Sequence, residues 1–175
     1  YIHKIGNWGS LTTLPSDQIV LSRILADRGG CFFHSAGIVL NGHGILFVGP
    51  SRAGKSTMLK ILKNYGEILC DDRMIVQQKA NEFQIHGTWS HGEIPIVSNA
   101  SAPLKAILIL EKSTVNRLVR IADKKQIIHK LLFRVVRPFL TADWWEKTIT
   151  LLSLLADRIP VYRFYFTKDL SLIHI

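Results

Sequence analysis

Gly49, Gly54, Lys55 and Ser56 stand at the spacing G-x-x-x-x-G-K-[ST] inside the run LFVGPSRAGKST, residues 46–57. Each residue type in that pattern has a reason in anion chemistry. Glycines let successive backbone N–H groups close around phosphate oxygens, and a helix opening at the end of the turn aims its positive dipole end at the same anion. A lysine there can reach the β- and γ-phosphates of a nucleotide, and the serine hydroxyl can be offered to Mg²⁺. Gly49, Pro50, Ser51, Arg52, Ala53, Gly54, Lys55, Ser56 and Thr57 are therefore the candidate nucleotide-binding residues, with a nucleotide's phosphates and Mg²⁺ as the expected ligands. The bland alternative is a glycine- and serine-rich connection without a ligand. Context weighs against it: Gly44 to Val48 reads as a buried strand entering the turn, and Met58 to Lys63 has helical spacing leaving it.

Such a turn does not say what is done with the nucleotide. The next chemistry is the pair Asp71-Asp72, at the end of the strand expected over Glu67 to Cys70. In an open sheet the carboxyl ends of strands are where ligands sit. One carboxylate there can hold Mg²⁺ and a second can take the proton of an attacking hydroxyl. Adjacent strand residues point to opposite sides, which favours two different tasks. Asp-Asp-Arg is also good chemistry for a solvated turn. His34 is a third candidate, although a lone histidine near a strand edge is more often a packed structural residue.

The elements that must position these groups can be read along the chain. Pro15-Ser16-Asp17 starts a helix, with Ser16 or Asp17 as cap, and Gly29-Gly30 stops it. Cys31 to His34 and Ile38 to Leu40 are two short extended pieces, and Asn41-Gly42 is a tight-turn signal before the next strand. After the glycine-rich turn a helix runs to about Asn64, with Gly66 as its C-terminal stop. Met74 to Gln77 and Glu82 to His86 alternate as antiparallel strands turning near Lys79 to Asn81, and residues 87–103 are loop-rich. Lys105 to Glu111 reads as a strand, and Arg117 to Ala122 is a candidate for another. Asp123 to Val136 is a helix ended by Pro138, Ala142 to Asp157 is a second helix, and Pro160 to Phe166 closes with a strand. The mix is α/β with hairpins, unlike the regular strand–helix alternation of a doubly wound sheet.

The order HSAGIVLNGHGILFVGPSRAGKST followed by YGEILCDD resembles the P-loop kinase core of HPr kinase/phosphorylase, the bacterial protein-serine kinase, and of its shorter relatives. That core is related in fold to ATP-dependent phosphoenolpyruvate carboxykinase. The likeness is good from about Gly30 to Val76 and general beyond it, and the later GTWSHGEIPIVSNASAPLKAILILEK is similar to the shorter relatives. The fold it implies is α/β, a kinase core with a mixed sheet, hairpins and flanking helices, in one domain over residues 1–175 that is expected to be cut at one or both ends. The activity it implies is transfer of the γ-phosphoryl group of ATP to a serine-type hydroxyl of a protein or peptide. Carried over by position, the resemblance makes Lys55 the contact to the β/γ-phosphates and Ser56 a metal-holding residue. It makes Asp71 the base, Asp72 a helper of the metal, and His34 a neighbour of the transferring phosphate, with the two aspartate tasks open to exchange. This sequence also departs from the enzyme. Arg52 replaces a small residue, Thr57 replaces an acidic one, and the arginine- and glycine-rich signature tied to phosphorolysis and HPr docking is missing. The missing signature argues against HPr as the acceptor and against the phosphorylase reaction.

Bulk properties bound the alternatives. The 175 residues suit one domain, and 47% hydrophobic with 20% charged residues is ordinary for a globular chain. No run is apolar for the length of a membrane span, and the first residues lack the layout of a signal peptide. Cys31 and Cys70 show no metal or redox spacing and read as buried reduced thiols in a cytoplasmic protein. The net charge of +9 suits nucleic acid, but a polyphosphate or an acidic substrate suits it equally, and no base-stacking motif is present. A nucleotide-binding regulator or an ATPase with water as acceptor is the alternative to the kinase. His86, His91 and Glu93 could form a lip facing substrate or metal, or an ordinary polar loop. The H-x-E of His91 and Glu93 lacks the P-C-x-x-C of a zinc deaminase. Lys124, Lys125, His129, Lys130, Arg134 and Arg137 form a basic helical region, by default a solvated face and otherwise a docking surface for an acidic peptide or nucleotide. Trp144 and Trp145 serve the core or a contact between copies in a homo-oligomer.

Overall fold

A computed structural model describes residues 16–137 and 141–167. Pro15, the side chains of Ser16 and Asp17, and Pro138, which were expected to start and stop helices, lie outside the described residues. The elements in chain order are α1 (Ser16–Asp27), β1 (Gly30–Leu40), β2 (His43–Val48), α2 (Lys55–Leu62), β3 (Glu67–Cys70) and β4 (Arg73–Lys79). They continue with β5 (Glu82–His86), β6 (Ser101–Lys112), β7 (Arg117–Arg120), α3 (Lys124–Leu132), α4 (Ala142–Arg158) and β8 (Val161–Phe166). The architecture is mixed α/β, with a mixed sheet and helices on its two faces.

Alternation of side chains along the strands divides the core. On β2, Leu46 and Val48 face one way and Phe47 the other; on β6, Ile107 and Ile109 face one way and Leu110 the other. The first set packs with Ile127 and Leu131 of α3 and with Trp144, Leu152 and Leu155 of α4. The second packs with Met58, Leu59 and Leu62 of α2 and with Phe164 and Phe166 of β8. Trp144 is buried in the core, its indole N–H donating to Ser22 O over 3.3 Å. Cys31 and Cys70 are free and buried, and burial pushes the Cys31 thiol up to about 12.

β2, β6 and β8 run parallel, and β3 runs in the same direction because both β2 and β3 are antiparallel to β1. Hydrogen-bond pairing runs β2–β1–β4–β5–β6 and returns to β2, so this path closes on itself. The hairpin between β1 and β2 turns at Asn41 (φ 49°) and Gly42 (φ 76°), as the Asn-Gly signal required.

Four expectations are corrected. β1 is a single strand of 11 residues, since it has ladder partners on both edges. Gly37, which reads as an interruption, instead lets the Met74 side chain cross the strand. His34 is accordingly interior, paired with Arg73 on one side and, through its N–H, with Arg134 O at 2.7 Å on the other. α2 ends at Leu62, and Gly66 has no left-handed φ. Its role is close approach, because a Cβ there would stand 2.2 Å from Val39 O. α3 ends at Leu132, after which Val135 bridges Phe33 and Val136 N–H donates to Phe32 O. Beta pairing with β1 takes these residues out of the helix.

Candidate functional site

The turn from β2 into α2 has the shape its residues demand. Gly54 adopts φ 107°, and Arg52 is left-handed at φ 64° with its side chain exposed. Lys55 folds back across the turn: its ammonium donates to Gly49 O (3.1 Å) and Pro50 O (3.2 Å). It is buried, and desolvation, followed by the charge of Arg134, lowers its pKa.

The acidic pair sits where β3 gives way to β4. Both strands lie along the same edge of β1, β3 against residues 37–39 and β4 against residues 30–34, so the break between them brings Asp71 and Asp72 level with His34. The two carboxylates face different partners. Asp71 is buried and accepts from Ser56 Oγ (3.1 Å), Ile94 N–H (2.9 Å) and Gly92 N–H. Asp72 lies 3.1 Å from His34 Nδ1, 2.8 Å from Arg73 Nη1 and 3.0 Å from Ser90 Oγ. Burial works against its ionised form, but the His34 hydrogen bond, the Arg73 charge and the Ser90 hydroxyl outweigh it and hold Asp72 below the usual carboxylate pKa. His34 continues the line with Nε2 at 3.3 Å from Lys55 Nζ. Asp72, His34 and Lys55 thus form a connected series, and Asp71 with Ser56 stands beside it. The Arg73 guanidinium also reaches His34 Nδ1.

These groups line a cleft of about 580 Å³, which also reaches Arg52, Thr57 and Phe166. Of the expected lip, Glu93 lines this cleft and reaches Lys60 at 3.5 Å. His91 is exposed, and His86 is half-buried on β5, where desolvation lowers its pKa. Sequence reasoning gave no site role to Arg73, Ser90 or the amides of Gly92 and Ile94, and named Arg134 only as part of the basic helical region. Arg73 could have been found by its place directly after the aspartates. The others arrive from distant segments with no local signal.

Strand, glycine turn and helix, with two carboxylates beside the turn, define an α/β protein built around one polar cleft. The family model of the SynChlorMet cassette protein ScmC matches residues 11–130, and the chain belongs to that family. No curated protein matches it. Among solved structures, the chain is similar to the Hpr(Ser) kinase/phosphatase from Coxiella burnetii, with 14% identity, 81% of each chain covered and a TM-score of 0.46.

Proposed function

We propose that the chain is an ATP- and Mg²⁺-dependent phosphotransferase that moves the γ-phosphoryl group to a serine-type hydroxyl of a protein or peptide. The observation that carries this reading is the line Asp72–His34–Lys55 meeting the Ser56–Asp71 pair in one cleft at the glycine-rich turn. In it, Gly49 to Thr57 cradle the phosphates with main-chain amides, and Lys55 exchanges its carbonyl contacts for the β/γ-phosphates. Neutral carbonyls are weaker partners for an ammonium than phosphate oxygens, so this exchange is downhill.

A hydroxyl and a carboxylate are hard oxygen donors, and Mg²⁺ needs only one or two protein ligands when phosphates and waters complete its shell. Ser56 and Asp71 meet that description and would hold it, where it would neutralise charge on the phosphates. The contacts therefore favour exchanging the aspartate roles expected from the sequence, with Asp71 on the metal and Asp72 on the acceptor. The acceptor oxygen attacks the γ-phosphorus, the bond from that phosphorus to the β–γ bridging oxygen breaks, and ADP leaves. The hydroxyl proton passes to Asp72 and then to solvent. Because the transition state of phosphoryl transfer is loose, little proton removal is required before it, and an acidic carboxylate such as Asp72 suffices.

The test is incubation with γ-labelled ATP, Mg²⁺ and serine-containing peptides. Labelled peptide is expected from wild type and not from Asp72→Asn, while Lys55→Ala loses nucleotide affinity. Release of phosphate with no labelled acceptor would assign an ATPase instead. Nucleotide binding that survives Lys55→Ala unchanged would end the reading.

A further inference from the structure

The glycine-rich turn has a second flank. Opposite the aspartates, the turn, the end of β6 and the α3 region enclose another cleft, of about 660 Å³. Its walls carry Arg52, Lys112, His129, Lys130 and Arg134, together with Phe133, a residue 55% exposed. Glu111, also in its wall, is already engaged, 3.5 Å from Lys130 Nζ and 3.1 Å from Arg163 Nε. His129 and Phe133 meet edge to face at 4.8 Å, which gives the cleft an apolar seat beside its cations.

Ser51, Arg52 and Lys112 line both clefts, so the second adjoins the first. Arg134 ties it to the reacting groups: its carbonyl accepts the His34 N–H, and its charge acts on Lys55. Phe133 and Arg134 line the second cleft and not the first, whereas Thr57 and Phe166 line the first and not the second.

We infer that this second cleft is the docking site of the phosphoryl acceptor, and that the acceptor is an acidic peptide segment whose carboxylates flank the reacting hydroxyl. The inference rests on the phosphotransferase reading for the word acceptor, but recognition of an acidic chain rests on the cleft alone. Arg52, Lys112 and Arg134 come from separate segments, and Glu111 is already shared between Lys130 and Arg163, so the cleft repels a basic chain and holds an acidic one. Unlike the phosphate turn, this surface would discriminate among proteins.

Two fluorescein-labelled probes test it on the full chain, Glu-Glu-Ser-Glu-Glu and Lys-Lys-Ser-Lys-Lys, with fluorescence anisotropy as readout. Wild type is expected to bind the acidic probe at least about tenfold more tightly, and the double variant His129→Glu/Lys130→Glu to lose that preference. Neither residue belongs to the nucleotide cleft, so binding of a fluorescent ATP analogue should be unchanged in the variant. Lys112→Glu, on β6, repeats the comparison of the two peptide probes alone, since Lys112 also lines the nucleotide cleft, should the helix variant fold poorly. An acidic probe that binds both variants like wild type overturns the inference. So does a loss of nucleotide affinity in the helix variant with probe binding intact, which would make the cleft part of the nucleotide site. Wild type that prefers the acidic probe but binds no nucleotide would sink the phosphotransferase reading and leave the docking surface standing.

Discussion

The Ser56 hydroxyl donates to the Asp71 carboxylate over 3.1 Å, joining the first turn of α2 to the end of β3. Fifteen positions separate the two in sequence, and neither is on the other's element. With Gly92 and Ile94 amides also on Asp71, the contact fastens the phosphate-turn helix to the 92–94 loop through one carboxylate.

Removing the hydroxyl tests its proposed metal role. Ser56→Ala leaves Asp71 its two amide donors, so the stability loss should be about 1 kcal/mol, the net value of one hydrogen bond. The Mg²⁺ concentration needed for half-maximal turnover should rise by about tenfold, the size expected when one contact of roughly 1.4 kcal/mol is lost. A magnesium titration at saturating ATP measures this, and an unshifted curve would remove Ser56 from the metal.

The two aspartates should fail differently. Asp72→Asn is expected to cut transfer by about 10²–10⁴-fold, the usual range for a positioned proton acceptor, with nucleotide affinity kept. Asp71→Asn should chiefly raise the Mg²⁺ requirement. The opposite pattern in parallel magnesium titrations would restore the assignment expected from the sequence.

Asp72 also predicts an acid limb of stability. Its folded pKa is depressed, so below the unfolded value of about 3.9 the unfolded chain binds more protons, and stability rises with pH there. The contribution is complete above about pH 4 and is lost as pH falls through the lower folded value. Urea unfolding of wild type and Asp72→Asn at pH 7 and at pH 3 should show a gap that narrows in acid. A gap of constant size would mean that the carboxylate gains nothing from His34 and Arg73.

Gly54 combines two constraints that a methyl group violates together. Its φ is 107°, and a Cβ there would stand 2.2 Å from Phe166 Cζ. Gly54→Ala should cost about 1–3 kcal/mol from the backbone conformation, with the ring clash adding to it. Trimming the ring in Gly54→Ala/Phe166→Ala should recover the clash but not the backbone cost. Thermal melts of the two single variants and the double one separate them. A Gly54→Ala protein as stable as wild type would show that the turn does not need this conformation.

Much of this was legible in the chain, and the physics says why. An apolar run, two glycines and a helical stripe act over short distances, so β2, the turn and α2 could be placed from neighbours alone. Asp71 and Asp72 were visible because a strand must end somewhere and acidic residues mark the end. What could not be read was pairing between distant segments. Nothing near Arg134 says that residues 134–136 will leave their helix for β1, yet that step places its charge against Lys55. The basic region read by default as a solvated face, with a docking surface for an acidic peptide or nucleotide as the alternative. Lys124 does reach Asp157 on the exterior at 2.6 Å, but His129, Lys130 and Arg134 turn to a cleft. Residues 87–103 looked like plain loop, although Ser90, Gly92 and Ile94 supply donors to both carboxylates.

The closed course of strand pairing has a consequence for how copies of this molecule meet. β1, β4, β5, β6 and β2 spend their main-chain donors and acceptors on one another, and β3 turns its outer side to the loop, whose Ser98 N–H donates to Leu69 O. Among the described strands this leaves β7 as the open margin, four exposed residues with Arg117 and Arg120 at its ends. Two such margins brought together would set guanidinium against guanidinium. Sheet-to-sheet growth into fibres is therefore discouraged at the one border where main-chain atoms could invite it.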